Sequence, residues 1–435
     1  MHPTSRPSAT PSGKAVTNWA GNVTFGAARL HTPSSVEQVQ EIVAGSTGVR
    51  ALGSGHSFNT IADTTGDLVS VAGLPRTVEV DSDARTVTVS GGLRFAEFTD
   101  AVHDAGLALH NLGSLPHISV AGACATGTHG SGIGNGSLAT AVRALDLVTA
   151  DGSLLSLARG DQDFAGSVVA LGSAGIVTRM TLDLVPAYEI RQWVYEGLAH
   201  TELSDHFDAV LSAAYSVSVF TRWRAGDPDK VWLKQRVGDA AASPAPDEWL
   251  GAVPADGPRH PVPGMDPLTC TEQQGVAGPW HTRLPHFRAG FTPSSGEELQ
   301  SEYFVAREDG PAAYEALSAI ADRIAPVLQI GEIRTIAGDD LWMSPAHGRD
   351  SVAFHFTWFP DTAAVTPVLI AMEEALAPFG VRPHWGKLFT TPAERLRELY
   401  PRYDDFEALM ARLDPRGVFR NALMERFFPG GHARG

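Results

Sequence analysis

One short stretch constrains the fold of this chain more than any other. The apolar run at residues 49–52 stops at Gly53 and Gly55, and His56 follows at once. Glycine permits positive φ and close approach of the backbone, so this turn can present bare N–H groups to an anion. A second glycine-rich stretch at residues 113–132 could supply the opposite wall. The residues alone leave two interpretations open, namely a cradle for a phosphate-bearing cofactor and glycines that only form tight turns.

Composition limits the classes of protein to which the chain can belong. With 435 residues, of which 43% are hydrophobic, we expect a substantial core and either several domains or one domain with a large insertion. The formal net charge of −16 argues against broad binding to nucleic acid or anionic lipid, because such binding needs clustered lysine and arginine. Two cysteines, Cys124 and Cys270, cannot form a disulfide framework and fit a reducing compartment.

The first residues and the hydropathy pattern indicate a cytoplasmic protein. Residues 1–12 are rich in proline, serine and threonine and lack the apolar segment of a signal peptide. No stretch looks long and apolar enough to span a bilayer. We therefore expect a monomer with neither a membrane nor a nucleic acid as partner.

Strands and helices alternate through the first half of the chain without a strict βαβ rhythm, which favours an α+β fold. A helix is predicted at residues 32–43, where Ser34 and Glu37 match a capping box, and a second helix at residues 95–102 should end at Gly106. The remaining signals are a strand at 49–52, hairpins that pair 77–80 with 86–89 and 144–149 with 154–157, and a glycine turn at 170–178 leading into a strand closed by Pro186.

The second half carries more aromatic residues and one long loop. Residues 239–267 are loaded with alanine, proline, aspartate and glycine, and we predict a surface loop at the mouth of a site. The periodicity predicts further elements, which are a helix at 311–324 stopped by Pro326, strands at 330–336 and 351–359, a helix at 366–377 and a tail helix that ends at 414–417.

Several well-known motifs are absent from the sequence. There is no GxxxxGK[ST], HExxH, GxSxG or CxxC, which argues against P-loop, zincin, α/β-hydrolase and thiol-redox functions. Residues 134–139 match a GxGxxA pattern, but no clear strand precedes them, so we reject a Rossmann fingerprint there.

The densest chemistry lies late in the chain. Residues two apart share one face of a strand, so Glu332 would lie beside Arg334, and His355 beside Thr357. An ordinary ion pair on an exposed strand would explain the first pair alone. Polar pairs on two neighbouring strands, with Lys387 nearby, favour the floor of a pocket. Spacing assigns no role to the isolated histidines His110, His117 and His129.

The run Gly53-Ser54-Gly55-His56-Ser57, followed by residues 113–122, resembles the vanillyl-alcohol oxidase flavoprotein superfamily. Within it, the chain is most similar to the alditol (xylitol) oxidases, from the first helix to the tail. The histidine loop is specific for a histidyl flavin. The Glu332–Arg334 pair and the His-Trp-Gly-Lys stretch at 384–387 are shared with the sugar-lactone oxidases.

The resemblance implies a two-domain α+β flavoprotein. An FAD-binding domain of two α+β subdomains would comprise residues 1–187, completed by about residues 410–435. A substrate (cap) domain with a large antiparallel sheet flanked by helices would comprise residues 188–409.

The resemblance also implies FAD attached covalently through His56 to the flavin 8α-carbon. Ile176 would lie near the adenosine part and His384 near the flavin. The other implied FAD contacts lie in the two glycine-rich loops and are Arg50, Ala51, Leu52, Gly53, Ser54, Gly55, Ser57, Ser114, Ser119, Gly122, Ala123, Cys124, Ala125 and Thr126. Cys124 stands where a small aliphatic residue is expected.

Polar residues of the second half would form the substrate site by the same resemblance. Arg334 and Lys387 would stabilise alkoxide character on the substrate, and His355 is the candidate proton acceptor. Glu332 would accept a hydrogen bond from a substrate hydroxyl. The implied lining is Ser114, Gln300, Glu332, Arg334, His355, Thr357 and Lys387.

The resemblance implies an alditol oxidase. Such an enzyme oxidises the terminal primary hydroxyl of a polyol such as xylitol or sorbitol to the aldose, with hydride transfer to flavin N5 and reduction of O2 to H2O2. Two alternatives stay open. One is an aldonolactone oxidase or dehydrogenase of the gulono- or arabinono-lactone type on the same scaffold, and the other is a flavin-binding protein without turnover.

Overall fold

The computed structural model describes residues 15–224, 226, 229–239, 248–290 and 297–430. The segment 1–12 and part of the predicted loop 239–267 therefore lie outside the described residues. Within these ranges the strands form sheets of nine, five, three and two strands, with helices packed around them. The α+β class predicted from the sequence is confirmed.

A small parallel sheet precedes and supports the first glycine loop. Its strands, in spatial order, are Arg29–His31, Asp67–Val69 and Val49–Ala51. Helix Val36–Gly45 buries Val39, Ile42 and Val43 in a core that also contains Val49 and Val69. The strand Val49–Ala51 therefore delivers the chain into Gly53 from a fixed direction.

The predicted capping box of the first helix is wrong by one residue. The capping residue is Ser35, whose hydroxyl accepts a hydrogen bond from the backbone N–H of Gln38. The backbone N–H and hydroxyl of Ser34 donate to the side-chain oxygen of Gln38 instead. Ser34 thus lies outside the helix. It is held there by the side chain of Gln38, which is not part of the predicted capping box of Ser34 and Glu37.

A five-stranded antiparallel sheet, hereafter the small sheet, follows. Its strands in spatial order are Val78–Asp81, Thr86–Ser90, Ile176–Asp183, Val142–Val148 and Leu154–Ala158. Both predicted hairpins are confirmed by the pairing of the first two and of the last two strands. Alternate residues of the small sheet, such as Val87, Leu145 and Met180, enter the largest apolar core.

Two predicted boundaries in this half are corrected. The helix predicted at 95–102 is a 3₁₀ turn, Phe95–Glu97, and an α-helix, Thr99–Asp104, because Phe98 between them has a φ of −133°. Gly106 follows with a φ of +75°, as the predicted helix end requires. Pro186 does not simply close a strand, since Val185–Pro186 pairs antiparallel with the short strand Leu107–Ala108.

The nine-stranded antiparallel sheet, hereafter the large sheet, dominates the described part of the chain after residue 188. Its strands in spatial order are Val253–Pro254, Glu189–Leu198, Asp229–Arg236, Ser216–Thr221, Leu328–Ile336, Ser351–Trp358, Leu299–Ala306 and Arg382–Pro383, while Gly278–Pro279 pairs with Glu189–Leu198. The predicted strands at 330–336 and 351–359 are confirmed as its central pair.

The large sheet has one apolar face and one polar face. Tyr303, Phe354 and Phe356 belong to a core shared with helices Gly310–Ser318 and Thr362–Leu376. Neighbouring residues along the same strands point the other way because the side-chain period of a strand is two. That second face carries the polar residues described below.

The helices of the second half differ from their predicted limits. The helix predicted at 311–324 is two helices, Gly310–Ser318 and Ala321–Ile324, and Pro326 follows in a 3₁₀ turn. Thr362–Leu376 begins four residues before the predicted start, because the carboxylate of Asp361 accepts from the N–H of Ala364. The remaining helices are Val120–Ala125, Phe164–Val168, His200–Asp205, Phe207–Leu211, Ala393–Leu399, Tyr403–Leu413 and Ala422–Phe427.

One segment of the described chain, Thr362–Phe379, is long and apolar enough to cross a membrane by length and composition. From the sequence we expected no stretch long and apolar enough to span a bilayer, and this one segment meets the criterion of length and composition only. Val365, Leu369 and Met372 of this segment are buried in the core beneath the large sheet. The segment therefore has the setting of a core helix.

The tail returns to the N-terminal part of the molecule. Helix Tyr403–Leu413 ends just before Asp414, as predicted, and the Asp414 carboxylate accepts from two backbone N–H groups of the turn that follows. The carbonyl of Val418 accepts from the N–H of Val49 at 2.7 Å. Residues far apart in sequence thus support the first glycine loop together.

Candidate active site

A cavity of about 680 Å³ lies between the two glycine-rich loops and the polar face of the large sheet. Nearly all of the residues expected to bind cofactor or substrate are on its wall. From the FAD set these are Arg50, Ala51, Leu52, Gly53, Ser54, Gly55, His56, Ser57, Ser114, Ser119, Gly122, Ala123, Ala125, Thr126 and His384. From the substrate set they are Ser114, Gln300, Glu332, Arg334, His355, Thr357 and Lys387.

Two expected FAD contacts are not on the wall that the described residues form. Cys124 is fully buried in the core around the small sheet, and burial raises the pKa of its thiol to about 12. Ile176 packs with Val39 and Val148 in another core, while its neighbours Gly175 and Val177 reach the cavity. Both side chains support the loops from behind.

The two loops interlock where they are closest. A Cβ on Gly53 would lie 2.3 Å from Oγ of Ser119, and one on Gly122 would lie 2.8 Å from the same atom. The N–H of Ser54 donates to Oγ of Ser119, and the N–H of Ser119 is 3.2 Å from Oγ of Ser54. Glycine at these positions therefore makes room for the Ser119 side chain, whose hydroxyl links the two loops.

Arg50 holds the first loop in place with its side chain. The guanidinium is 2% exposed and donates to the carbonyls of Gly172, Phe419, Ile61 and Leu171 at distances of 2.5 to 3.0 Å. Burial lowers its pKa to about 10, where it is still charged at neutral pH. Arg50, which was expected to contact FAD, thus donates its hydrogen bonds to backbone oxygens.

His56 has the setting of a neutral nucleophile. Its ring stacks on Trp19 with centroids 4.7 Å apart and lies 5.1 Å from the ring of His117. Within the described residues, neither buried ring nitrogen of His56 makes a hydrogen bond of standard geometry. Burial, and then His117, lower the pKa of His56 to about 3, so the imidazole keeps a free electron pair at neutral pH.

The floor of the cavity is built by strand register. Glu302, His355 and Glu332 lie directly opposite one another on three neighbouring strands of the large sheet. Gln300 and Thr357 form the next row. The predicted neighbours are brought together, since Nε2 of His355 is 3.1 Å from Oγ1 of Thr357.

Glu302 is the centre of the site and was not predicted from the sequence. Its carboxylate, 1% exposed, accepts from Nη2 of Arg334 at 2.5 Å and from Nζ of Lys387 at 2.7 Å, and Nε2 of His129 is 3.1 Å away. Burial would raise the pKa of Glu302, but Lys387 and Arg334 hold it well below its usual range. The signal was available, because Glu302 is two residues after Gln300 on a strand.

Lys387 and His355 form one hydrogen-bonded pair. Nζ of Lys387 lies 2.7 Å from Nδ1 of His355. Burial lowers the pKa of His355 well below its ordinary value, and Lys387 lowers it further. Burial also lowers the pKa of Lys387, although Glu302 opposes this. The pair therefore gives up its shared proton more readily than an exposed lysine does.

Glu332 and Arg334 leave a donor and an acceptor free. Oε1 of Glu332 accepts from Nε2 of His286 at 2.8 Å, whereas Oε2 lies 3.7 Å from Nε of Arg334. Within the described residues, that buried Nε makes no hydrogen bond. Burial would raise the pKa of Glu332, but Arg334 and His286 hold it well below the usual range. His286 comes from a loop and had no sequence signal.

Other predicted residues are also found at the site. The carbonyl of Ser114 accepts from the N–H of His286, and the side-chain amide of Gln300 donates to Glu298 at the rim. Nδ1 of His384 accepts from the N–H of Gly386 at 3.1 Å. His260, Pro261, Val262 and Met265 are on the cavity wall, so the described part of loop 239–267 borders the site as predicted.

The fold and this cavity define an FAD-dependent oxidoreductase. Residues 27–158 match the model for an FAD binding domain, and residues 296–427 match the model for D-arabinono-1,4-lactone oxidase. The chain is 52% identical to the alditol oxidase of a Streptomyces species, over 96% of this chain and 99% of that protein. It therefore belongs to the alditol oxidase family, within the vanillyl-alcohol oxidase flavoprotein superfamily.

More distant relatives share the whole architecture. The L-gulono-1,4-lactone dehydrogenase of Mycobacterium tuberculosis is 30% identical, over 94% of this chain and 98% of that protein. The L-gulonolactone oxidase of Bos taurus is 27% identical, over 94% and 97%. The cholesterol oxidase structure from B. sterolicum superposes with a TM-score of 0.77 at 15% identity, covering 97% of this chain and 99% of that one. This likeness confirms the expected two-part fold.

Proposed function

We propose that the protein oxidises the terminal primary hydroxyl of a polyol, such as xylitol or sorbitol, to the aldose and reduces O2 to H2O2. The observation that carries this proposal is the pair formed by Nε of Arg334, which makes no hydrogen bond within the described residues, and Oε2 of Glu332, which lies 3.7 Å from it in an ion pair too long for a hydrogen bond. A hydroxyl both donates and accepts, so a single hydroxyl group can satisfy both atoms. An uncharged substrate with several hydroxyls fits such a site.

The glycine-rich loops form the proposed binding site for FAD. The residues fit the group, because the two interlocked loops leave no room for a Cβ at Gly53 or Gly122 and expose backbone at the cavity wall. When bound, FAD accepts a hydride from the substrate carbon. We assign its covalent attachment to His56, whose buried ring nitrogens at the wall make no hydrogen bond of standard geometry within the described residues.

The substrate proton is assigned to the pair of His355 and Lys387. Sequence alone pointed to His355, but its Nδ1 faces Lys387 and its Nε2 faces Thr357. When Lys387 is protonated, its Nζ donates to Nδ1 of His355. The electron pair on Nδ1 is then not available to accept the proton of the substrate. Once the pair has lost one proton it can accept another from the substrate hydroxyl, and the apparent pKa belongs to both groups together.

Positive charge at the floor assists this proton loss. Arg334 and Lys387 both border the cavity, and their shared partner Glu302 holds them 2.5 Å and 2.7 Å from its two oxygens. Alkoxide character on the substrate oxygen is stabilised by the fixed Arg334 cation, and by Lys387 once the pair has accepted the proton, more than by water, because no reorganisation is needed. Glu332 orients the substrate by accepting a hydrogen bond from a second, non-reacting hydroxyl of the polyol, because the reacting hydroxyl gives its one proton to the pair of His355 and Lys387.

An assay of peroxide release with a panel of substrates tests the proposal. Xylitol and sorbitol should give H2O2 at a kcat/KM well above that of L-gulono-1,4-lactone. A strong preference for the lactone would support instead the aldonolactone oxidase or dehydrogenase alternative. Anaerobic mixing separates both from a protein without turnover, since failure of polyols and lactones alike to bleach the flavin would leave only binding.

A further inference from the structure

A buried lysine lies behind the floor of the cavity and contacts a histidine on the cavity wall. Lys234, 1% exposed, is in strand Asp229–Arg236 of the large sheet and is not on the cavity wall. Its Nζ lies 3.1 Å from Nδ1 of His286 and donates to the carbonyl of Leu284. None of the proposed catalytic steps uses this cation.

The ring of His286 is held on every side. Its Nε2 lies 2.8 Å from Oε1 of Glu332, opposite the contact with Lys234. Phe220 and Trp232 present edges to the ring at centroid distances of 5.4 and 5.1 Å. The backbone N–H of His286 donates to the carbonyl of Ser114. The ring can therefore neither flip nor withdraw without breaking contacts with both loops and sheet.

These contacts select one tautomer of His286. An ionised carboxylate only accepts, so Glu332 favours the tautomer with the proton on Nε2, and Lys234, which donates to Nδ1, favours the same tautomer. Nδ1 is then the acceptor for Nζ of Lys234, which can donate whether it is charged or neutral. Burial, and then Lys234, lower the pKa of His286 to about 4, so the ring has a single N–H at neutral pH.

We propose that His286 and Lys234 are positioning residues that fix which oxygen of Glu332 receives the substrate. His286 occupies Oε1, which leaves Oε2 beside the free Nε of Arg334. Lys234 acts only through His286, by keeping the proton on Nε2. This inference rests on the proposed role of Glu332 as acceptor for a substrate hydroxyl.

A matched pair of substitutions tests His286. In His286→Gln the longer amide can still donate to Oε1 of Glu332, whereas in His286→Asn it falls short. We expect His286→Gln to keep kcat/KM for xylitol within a few-fold of the parent, and His286→Asn to lose tenfold or more, the scale of one hydrogen bond to a charged group. Equal kcat/KM in the two variants, at equal bound FAD, would overturn the proposal.

A double-mutant cycle tests whether Lys234 acts through His286. Lys234→Met should lower kcat/KM several-fold in the parent and have no further effect in the His286→Asn background. Additive losses would assign Lys234 a separate structural role and refute this part of the proposal. Lys230→Met is the matched control, because Lys230 is four residues earlier on the same strand and contacts only the carbonyl of His260 among the hydrogen bonds of the described residues.

The tautomer itself can be measured without any substrate. In the holoenzyme labelled with ¹⁵N-histidine, His286 should show one protonated and one unprotonated ring nitrogen, with the signals assigned by their loss in His286→Gln. Lys234→Met should shift them toward a mixture of tautomers. If polyols are not oxidised but this signature is present, the proposed function fails and the tautomer assignment stands. If the parent shows the opposite tautomer, the positioning proposal fails.

Discussion

At the scale of the residue, this active site is defined by the hydrogen bonds that each charged group has and lacks. Both oxygens of Glu302 accept from a cation, whereas Nε of Arg334 makes no hydrogen bond within the described residues and Oε2 of Glu332 lies 3.7 Å from it. The free atoms are where a substrate hydroxyl gains most, because an unpaired buried polar group is costly. Glu302 is therefore committed to holding the two cations in place, whereas Glu332 can still accept a hydrogen bond from substrate.

Removing the imidazole of His56 should release the cofactor. His56, buried at the wall of the cavity, is the proposed attachment residue, so we expect His56→Ala to bind FAD only without a covalent bond. Acid precipitation of the parent should leave a yellow pellet, and precipitation of the variant should leave the colour in the supernatant. His117→Ala is the control, because it removes the neighbouring ring and keeps the proposed attachment atom. A yellow pellet from His56→Ala would contradict the assignment.

Replacing Arg334 by lysine should reduce turnover by about 100-fold. The ammonium can keep the ion pair with Glu302, but it cannot also supply the free N–H that Nε offers beside Glu332. The measurement is kcat/KM for xylitol at equal flavin content. Near-parental activity would remove the guanidinium from substrate recognition.

The pair of His355 and Lys387 should give the pH profile its rising limb. The active form has lost the shared proton, so kcat/KM should rise with pH through the apparent pKa of the pair. Burial lowers the pKa of Lys387, and the limb should therefore lie below the ordinary lysine pKa of about 10.4. In Lys387→Met the limb should move or vanish. An identical limb in parent and variant would exclude Lys387 from the proton step.

At the scale of the element, the site depends on three antiparallel strands in one register and on two loops in close contact. The row of Glu302, His355 and Glu332 exists only in this register, because a slip of one residue would turn each side chain to the helix face. The loops approach so closely that a methyl group does not fit at Gly53. The three strands and the two loops therefore place the residues of the proposed active site.

Gly53→Ala should weaken retention of FAD and cost about 1–3 kcal/mol of stability. The new Cβ would be 2.3 Å from Oγ of Ser119, which is already bonded to the N–H of Ser54. The double variant Gly53→Ala/Ser119→Ala should recover part of the loss. Gly134→Ala is the matched control, because its Cβ would meet nothing within 4 Å. Thermal unfolding would measure stability, and flavin content would measure the retention of FAD. Equal results for Gly53→Ala and Gly134→Ala would refute the steric account.

At the scale of the whole molecule, the tail of the chain completes the support of the first glycine loop. The carbonyls of Val418 and Phe419 accept from the backbone of Val49 and the side chain of Arg50. The amide of Asn421 donates to the carbonyls of Thr60, Ile61 and Asp63. The boundary predicted near residue 410 between the substrate domain and the returning tail stays a prediction, although these contacts agree with a tail that serves the FAD-binding part.

Asn421→Asp should loosen the tail without disturbing its helix. The Oδ1 that accepts from the N–H of Met424 is retained, but the donors to the three carbonyls are lost and a carboxylate replaces them. We expect the free energy of unfolding to fall by about 2 kcal/mol, measured by chemical denaturation with FAD bound. An unchanged midpoint would show that the tail is held by its apolar contacts alone.

Much of this molecule could be predicted from local patterns and from resemblance. The α+β class, the hairpins, the central strands at 330–336 and 351–359 and the residues of both loops follow from short-range periodicity or from motifs. The errors lie at helix limits. Two of them occurred where a side chain that was not part of the predicted helix start, Gln38 or Asp361, accepts a hydrogen bond from the backbone near that start.

The sequence by itself determined two glycine-rich loops, a histidine after the first of them and alternating polar residues on late strands, and the resemblance to a flavoprotein family predicted that they serve one cavity. Only the tertiary structure decided how charge is shared inside that cavity. Glu302, His286 and Lys234 come from three separate segments, and their roles arise from register and burial that no local pattern encodes. Long-range contacts decide which buried group is paired and which is free, and this choice sets both the pKa values and the place of the substrate.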